Sequence, residues 1–134
     1  MTQLVAVPHA SVESAWLDAL PLIVKIADSA PDLTLSALWS ILRGGGGELW
    51  LAGSCDGHEA AAITALKPWG TQTAAFVYGV ASNDSRAWRS VIPAFEAALK
   101  ARGADIIIME GRKGWARVFP EARVIRQTFE VKLT

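Results

Sequence analysis

Apolar residues recur three and four positions apart over two stretches near the start of the chain. Val12, Ala15, Trp16, Ala19, Leu20, Ile23 and Ile26 follow helical spacing with Ser11 as N-cap, and Leu35, Leu38, Trp39 and Leu42 form a second stripe that Asp32 or Thr34 can cap. Pro21 should bend or split the first helix, because proline lacks the N–H donor and its ring crowds the preceding turn. The run Gly44-Gly45-Gly46-Gly47 ends the second helix. The pattern then changes to strands. Glu48 to Ala52 and His58 to Leu66 flank Cys55-Asp56-Gly57, and this reads as a hairpin because Asp-Gly supplies the positive φ that tight turns need. Pro68-Trp69-Gly70 turns the chain into a third strand, Thr71 to Ala81, antiparallel to the one before it.

Ser82-Asn83-Asp84-Ser85 begins a helix whose Trp88, Val91, Ile92, Phe95, Ala98 and Leu99 give the clearest helical stripe in the chain, and Gly103 stops it. Asp105 to Met109 is a short β-branched run suited to a strand covered on both faces. Reaching it through a helix implies a parallel crossover, so the sheet is mixed. At the end, Ile125, Phe129, Val131 and Leu133 alternate with Arg126, Thr128, Glu130 and Lys132, which predicts a strand with one wet face. The reading is α/β (α+β), a mixed and mostly antiparallel sheet flanked by helices, with residues 1–134 as one domain.

Charge excludes little except a global field. Lys plus Arg number 13 and Asp plus Glu number 13, so neither specific nucleic acid binding nor attraction to an anionic membrane is expected. Arg112, Lys113, Arg117, Arg123 and Arg126 do cluster late in the chain. The lone Cys55 excludes an internal disulfide and fits a reducing compartment. The first eight residues lack a basic start and a leader-length apolar run, which together with the absence of a membrane-length stretch points to a cytoplasmic protein. His9 and His58 lack ligand spacing, so no metal site is expected.

The order of elements, together with Glu110-Gly111-Arg112-Lys113-Gly114-Trp115-Ala116-Arg117-Val118-Phe119 after the buried strand, resembles the GCN5-related N-acetyltransferase fold. The resemblance spans nearly the whole chain. It implies that the family's fourth and fifth strands splay apart and that acyl-coenzyme A lies in the opening. The family holds the pyrophosphate with a Gln/Arg-x-x-Gly-x-Gly/Ala loop at a helix N-terminus, where bare N–H groups and the helix dipole meet the anion. The corresponding stretch here, Tyr78-Gly79-Val80-Ala81-Ser82-Asn83-Asp84-Ser85-Arg86, has its glycine too early and no glycine pair. Asp84 adds a negative charge where a phosphate would arrive.

The candidate catalytic residues are Glu110, as a base for an amine if desolvation raises its pKa, and Tyr78, the only tyrosine, as a proton donor to a thiolate. The resemblance puts the cofactor-binding candidates at Phe76, Val77, Tyr78, Ser82, Asn83, Ser85 and Arg86. Bland alternatives are an ion pair of Glu110 with Arg112 or Arg126, a packed Tyr78, and helix capping by the serines and Asn83. Six tryptophans exceed what one small core needs. Trp16, Trp39 and Trp88 lie on helical stripes, whereas Trp69 and Trp115, with Arg112 and Arg117, suit a protein partner or a homo-oligomer.

Two functions follow. The first is a catalytically degenerate module of protein assembly that requires no cofactor. It resembles small proteins of tailed bacteriophages and would then be virion-associated. The second is an acetyl-coenzyme A-dependent N-acyltransferase in which N–H groups around Phe76 to Tyr78 polarise the thioester carbonyl.

Overall fold

The structure is a computed structural model that describes residues 2–54, 57–110, 119 and 121–133. Its sheet follows chain order: β1 (Gln3–Ala6), β2 (Glu48–Ser54), β3 (Gly57–Trp69), β4 (Gln72–Ser82) and β5 (Ile106–Met109). The first four pair antiparallel, and β5 joins β4 in parallel after the crossover through α3 (Ser85–Ala101). Alternate residues of β2 belong to different cores, as the two-residue period of a strand requires. Leu49 and Leu51 pack with α1 (Val12–Asp28) and α2 (Leu35–Arg43), and Trp50 and Ala52 pack with α3. Both faces of β2 and β3 are therefore covered. Ala60, Ala61 and Ala62 are fully buried at the centre, where small side chains let helices approach from both sides. No described helix is long and apolar enough to cross a membrane.

Several expectations are corrected. β1 was not among the predicted strands; it is short, half-exposed along alternate residues and held by pairing with β2. Pro21 does not split α1, which runs unbroken through it. The residue is exposed and the residue four before it, Leu17, is also exposed, so the carbonyl left without a donor faces water. Ser11 makes no side-chain cap, whereas Thr34 caps α2 by accepting from the Ala37 N–H at 3.1 Å. β3 extends through Pro68 and Trp69, so the turn is later than predicted and is made by Gly70 at φ +63°. β5 is half-exposed at all four positions rather than covered on both faces. Residues 122–133 form no strand, and Phe129, Val131 and Leu133 stand 83%, 81% and 95% exposed. Alternation describes what a strand would bury, but the hydrogen-bond partner must come from elsewhere in the sheet. Most of the segment that carries the resemblance, residues 111–118 with Trp115, lies outside the described residues.

Trp50 ties the layers together. Its ring is 1% exposed, packs edge-on against Phe95 with centroids 5.2 Å apart, and donates its Nε1–H to the buried Thr64 Oγ1 at 2.9 Å. Arg102, just past α3, stacks its guanidinium 4.6 Å from that ring and donates to both carboxylate oxygens of Glu48. Trp88 also packs on Phe95, but its buried Nε1 has no acceptor among the described residues. Trp50→Phe strands the Thr64 hydroxyl and Trp88→Phe strands nothing. Urea unfolding should therefore show the first variant less stable than the second by roughly 1–2 kcal/mol.

The β3–β4 register slips at the centre of the sheet. Ile63 faces Gly79 and Thr64 faces Val77, so Tyr78 is the extra residue of a bulge. The bulge turns Tyr78 and Gly79 together toward α1: Tyr78 packs on the α1–α2 core, and a Cβ on Gly79 would stand 2.7 Å from Ile26 Cγ2. Gly79→Ala should cost about 1–3 kcal/mol through overpacking. The cost should shrink in an Ile26→Ala background, and equal costs in both backgrounds would show that the close approach does not limit this position.

Candidate functional site

The β4–β5 pair is closed at one end and open at the other. At the closed end the Asp105 N–H donates to the Thr73 carbonyl at 2.8 Å, and the Thr73 N–H donates to Asp105 Oδ2 at 2.9 Å. The ladder runs from Ala74–Ile106 to Val77–Met109 and stops. β4 continues to Ser82, so the edge of Tyr78–Ser82 that faces away from β3 has no strand partner among the described residues. Backbone donors and acceptors along that edge are left for another occupant. The bulge at Tyr78 coincides with the end of the ladder and adds local twist there.

Tyr78 and Glu110 are the first residues beyond the last pair, one on each strand. The structure thus brings the two predicted catalytic residues to opposite sides of the mouth. Glu110 is exposed and has no ion-pair partner among the described residues. Arg112 lies outside the described residues, and Arg126 is placed over the Trp69 ring at 5.0 Å. Tyr78 is half-buried and meets Phe76 edge-on, with centroids 5.0 Å apart.

The predicted cofactor-binding residues separate into three groups. Phe76 and Val77 lie inside the ladder, opposite Ile108 and Met109, so of the run Phe76–Tyr78 only Tyr78 faces the opening. Ser82 ends β4, and Asn83 donates its N–H to the Glu59 carbonyl and accepts from Lys25 Nζ at 3.0 Å. Neither residue caps α3. The cap is Asp84, whose carboxylate accepts from the Arg86 N–H at 2.9 Å. Arg86 folds back to the same carboxylate, with Nη2 3.3 Å from Oδ2. The Arg86 backbone N–H, followed by its side-chain hydrogen bonds, holds the Asp84 carboxyl below the usual range. The side-chain hydrogen bond to Asp84 in turn raises the Arg86 guanidinium. The α3 N-terminus stands where β4 emerges from the opening, and it already holds an anion. Its free N–H groups fit a phosphate, whereas Asp84 opposes one.

Lys67 was not singled out from sequence, yet its Nζ lies 4.3 Å from the Phe76 centroid and 4.9 Å from that of Tyr78. Only the cross-strand register reveals this. Trp69 is half-buried under Arg126, so its ring is already occupied by the chain itself, and Trp115, Arg112 and Arg117 lie outside the described residues. No group of histidine, cysteine and acidic residues suited to a metal occurs among the described residues.

No family model matches the sequence, and no curated protein matches it. Solved structures do. An aminoglycoside acetyltransferase from an uncultured soil metagenomic sample is 10% identical, with 99% of this chain and 97% of that chain covered and a TM-score of 0.70. The ribosomal-protein-alanine N-acetyltransferase of Brucella melitensis biovar Abortus is 10% identical over 100% of both chains, at a TM-score of 0.68. A predicted acetyltransferase from Clostridium acetobutylicum, solved with acetyl-CoA, is 10% identical over 98% of this chain and 96% of that one, at a TM-score of 0.64. A mixed sheet in chain order, opened between its fourth and fifth strands beside a helix N-terminus, and matched end to end by these structures, gives this chain the fold of the GCN5-related N-acetyltransferases.

Proposed function

We propose that this protein is an acyl-coenzyme A-dependent N-acyltransferase acting on an amine. The observation that carries the reading is the opening beyond Val77–Met109, where a strand edge without a strand partner among the described residues, a tyrosine, a carboxylate and a helix N-terminus converge. Support comes also from neighbours of the same fold whose names state acetyl transfer. Backbone groups of Tyr78–Ser82 are suited to hold an extended chain by strand-like hydrogen bonds, and the first N–H groups of α3 with Arg86 to meet its phosphates. A thioester there supplies an activated acyl group. Glu110, in contact with water, takes the proton of the attacking amine as its nitrogen bonds to the acyl carbon and the carbon–sulfur bond breaks. The Tyr78 hydroxyl donates a proton to the departing thiolate.

One observation favours a second reading, the catalytically degenerate interaction module. The Asp84 carboxylate occupies the α3 N-terminus, and the glycine pair that would bare the backbone is missing. Isothermal titration with acetyl-coenzyme A separates the two. Saturable one-to-one binding at or below roughly 100 μM, about −5.5 kcal/mol, is expected. An absence of heat together with an unshifted melting temperature would remove the transferase and leave the interaction module.

Two variants refine the test. Asp84→Asn keeps a capping side chain but deletes the charge, so acetyl-coenzyme A should bind several-fold more tightly to it than to the wild type. Glu110→Gln should lower turnover roughly tenfold or more while leaving that affinity nearly unchanged, and equal turnover would remove Glu110 from the mechanism.

A further inference from the structure

Two of the described residues after β5 anchor on the rest of the fold. Phe119 packs on the core that α3 shares with the sheet. Arg126 holds its guanidinium 5.0 Å from the ring centroid of Trp69, the last residue of β3, at the turn into β4. Gln127 to Leu133 follow this second anchor, and all of them are exposed. An extended run of that length reaches roughly 20 Å, so it can project past the β3–β4 turn. Phe129, Val131 and Leu133 meet water almost completely, although their alternation with Thr128, Glu130 and Lys132 is that of a strand with one face to cover.

The order of these residues is complementary to itself. In an antiparallel pair centred on Val131, Phe129 of one copy stands opposite Leu133 of the other and Glu130 opposite Lys132, each pair occurring twice by symmetry. One face of such a ribbon is apolar and the other sets only opposite charges against each other. A slip of one residue puts apolar side chains opposite charged ones. Centring on Glu130 or on Lys132 keeps the faces but sets two glutamates or two lysines together. Two strands by themselves are marginal in water, so the apolar face needs a cover. Leu66, Ala75 and Ile107 form a row across β3, β4 and β5 toward the end of the sheet from which the run departs. Leu66 is 45% exposed and Ile107 is half-exposed, so the row has apolar surface to offer.

We propose that residues 127–133 are an interaction arm for a second copy of this chain: the arms of two copies pair antiparallel about Val131, and the apolar face of the ribbon settles on Leu66 and Ile107. The occupant is a second copy because the charge order of the arm matches itself in the one register that also keeps its apolar face whole. Both copies use the same segment, so the contact closes at a dimer. The arm departs from Trp69, at the closed end of the β4–β5 pair, and the dimer therefore leaves the Tyr78–Ser82 edge open. The proposal does not depend on the transferase reading.

Sedimentation equilibrium of the full chain tests it, by separating a species of 14.3 kDa from one of twice that mass. The wild type should dimerise, and Val131→Lys, which sets like charges at the centre of the ribbon, should require a concentration roughly tenfold higher or more to do so. Gln127 to Leu133 are exposed in the single copy, so substitutions there leave both cores intact. Glu130→Lys and Lys132→Glu should each weaken association roughly tenfold on their own. A one-to-one mixture of these two variants should restore it, because every charged cross-strand pair in the mixed dimer is again of opposite sign. A wild type that stays monomeric at roughly 100 μM, an affinity poorer than about −5.5 kcal/mol, overturns the arm. A dimer that survives Val131→Lys unweakened, or a mixture that associates no better than either variant alone, overturns the pairing about Val131.

Discussion

Everything of functional interest in this chain depends on the brevity of one parallel pairing. Asp105 and Thr73 bind each other twice, once through backbone and once through the aspartate side chain, and this fixes where β5 starts against β4. Four residues later the ladder ends. A β5 as long as β4 would satisfy the β4 edge and leave no site. Because it is short, Tyr78–Ser82 keep their outward backbone groups free of a strand partner among the described residues, and a buried or ligand-covered backbone must find one. The bulge at Tyr78 reinforces the parting by twisting β4 at the same residue.

Placing that opening beside a helix N-terminus demands a rigid platform, which the two cores provide. Leu49, Leu51 and Ile63 lock the sheet to α1 and α2, while Trp50, Val77, Val91 and Phe95 lock it to α3. Gly79 lets α1 come within contact of the strand just past the bulge. The hydrophobic contacts supply most of the stability, and the Trp50–Thr64 hydrogen bond fixes how the layers register.

Electrostatics divide the site into two halves of opposite character. At the α3 N-terminus Asp84 already places an anion on the helix dipole and holds Arg86 beside it. At the other end Lys67 places a cation on two aromatic faces.

Much of this was legible in the residues. Helical spacing located α1, α2 and α3, because burying one stripe is a property of the local sequence, whereas Pro-Trp-Gly placed the β3–β4 turn too early and Cys55-Asp56 lie outside the described residues. Tyr78, as the only tyrosine, and Glu110, as the residue closing the fifth strand, were candidates from the residues themselves, and they are the first residues past the last β4–β5 pair. What local pattern does not encode is partnership. It missed β1, whose four residues become a strand only because β2 offers an edge. It made a strand of residues 122–133, whose alternation is real but finds no strand partner among the described residues. It did not reveal that Lys67 lies over Phe76 and Tyr78, since that depends on the register of two strands and the one-residue slip at Tyr78. Sequence by itself determined which segments want to be helix or strand and what chemistry they carry; tertiary structure alone decided which edges pair, where pairing stops, and therefore where a site exists, because hydrogen-bond partners are supplied by distant parts of the chain.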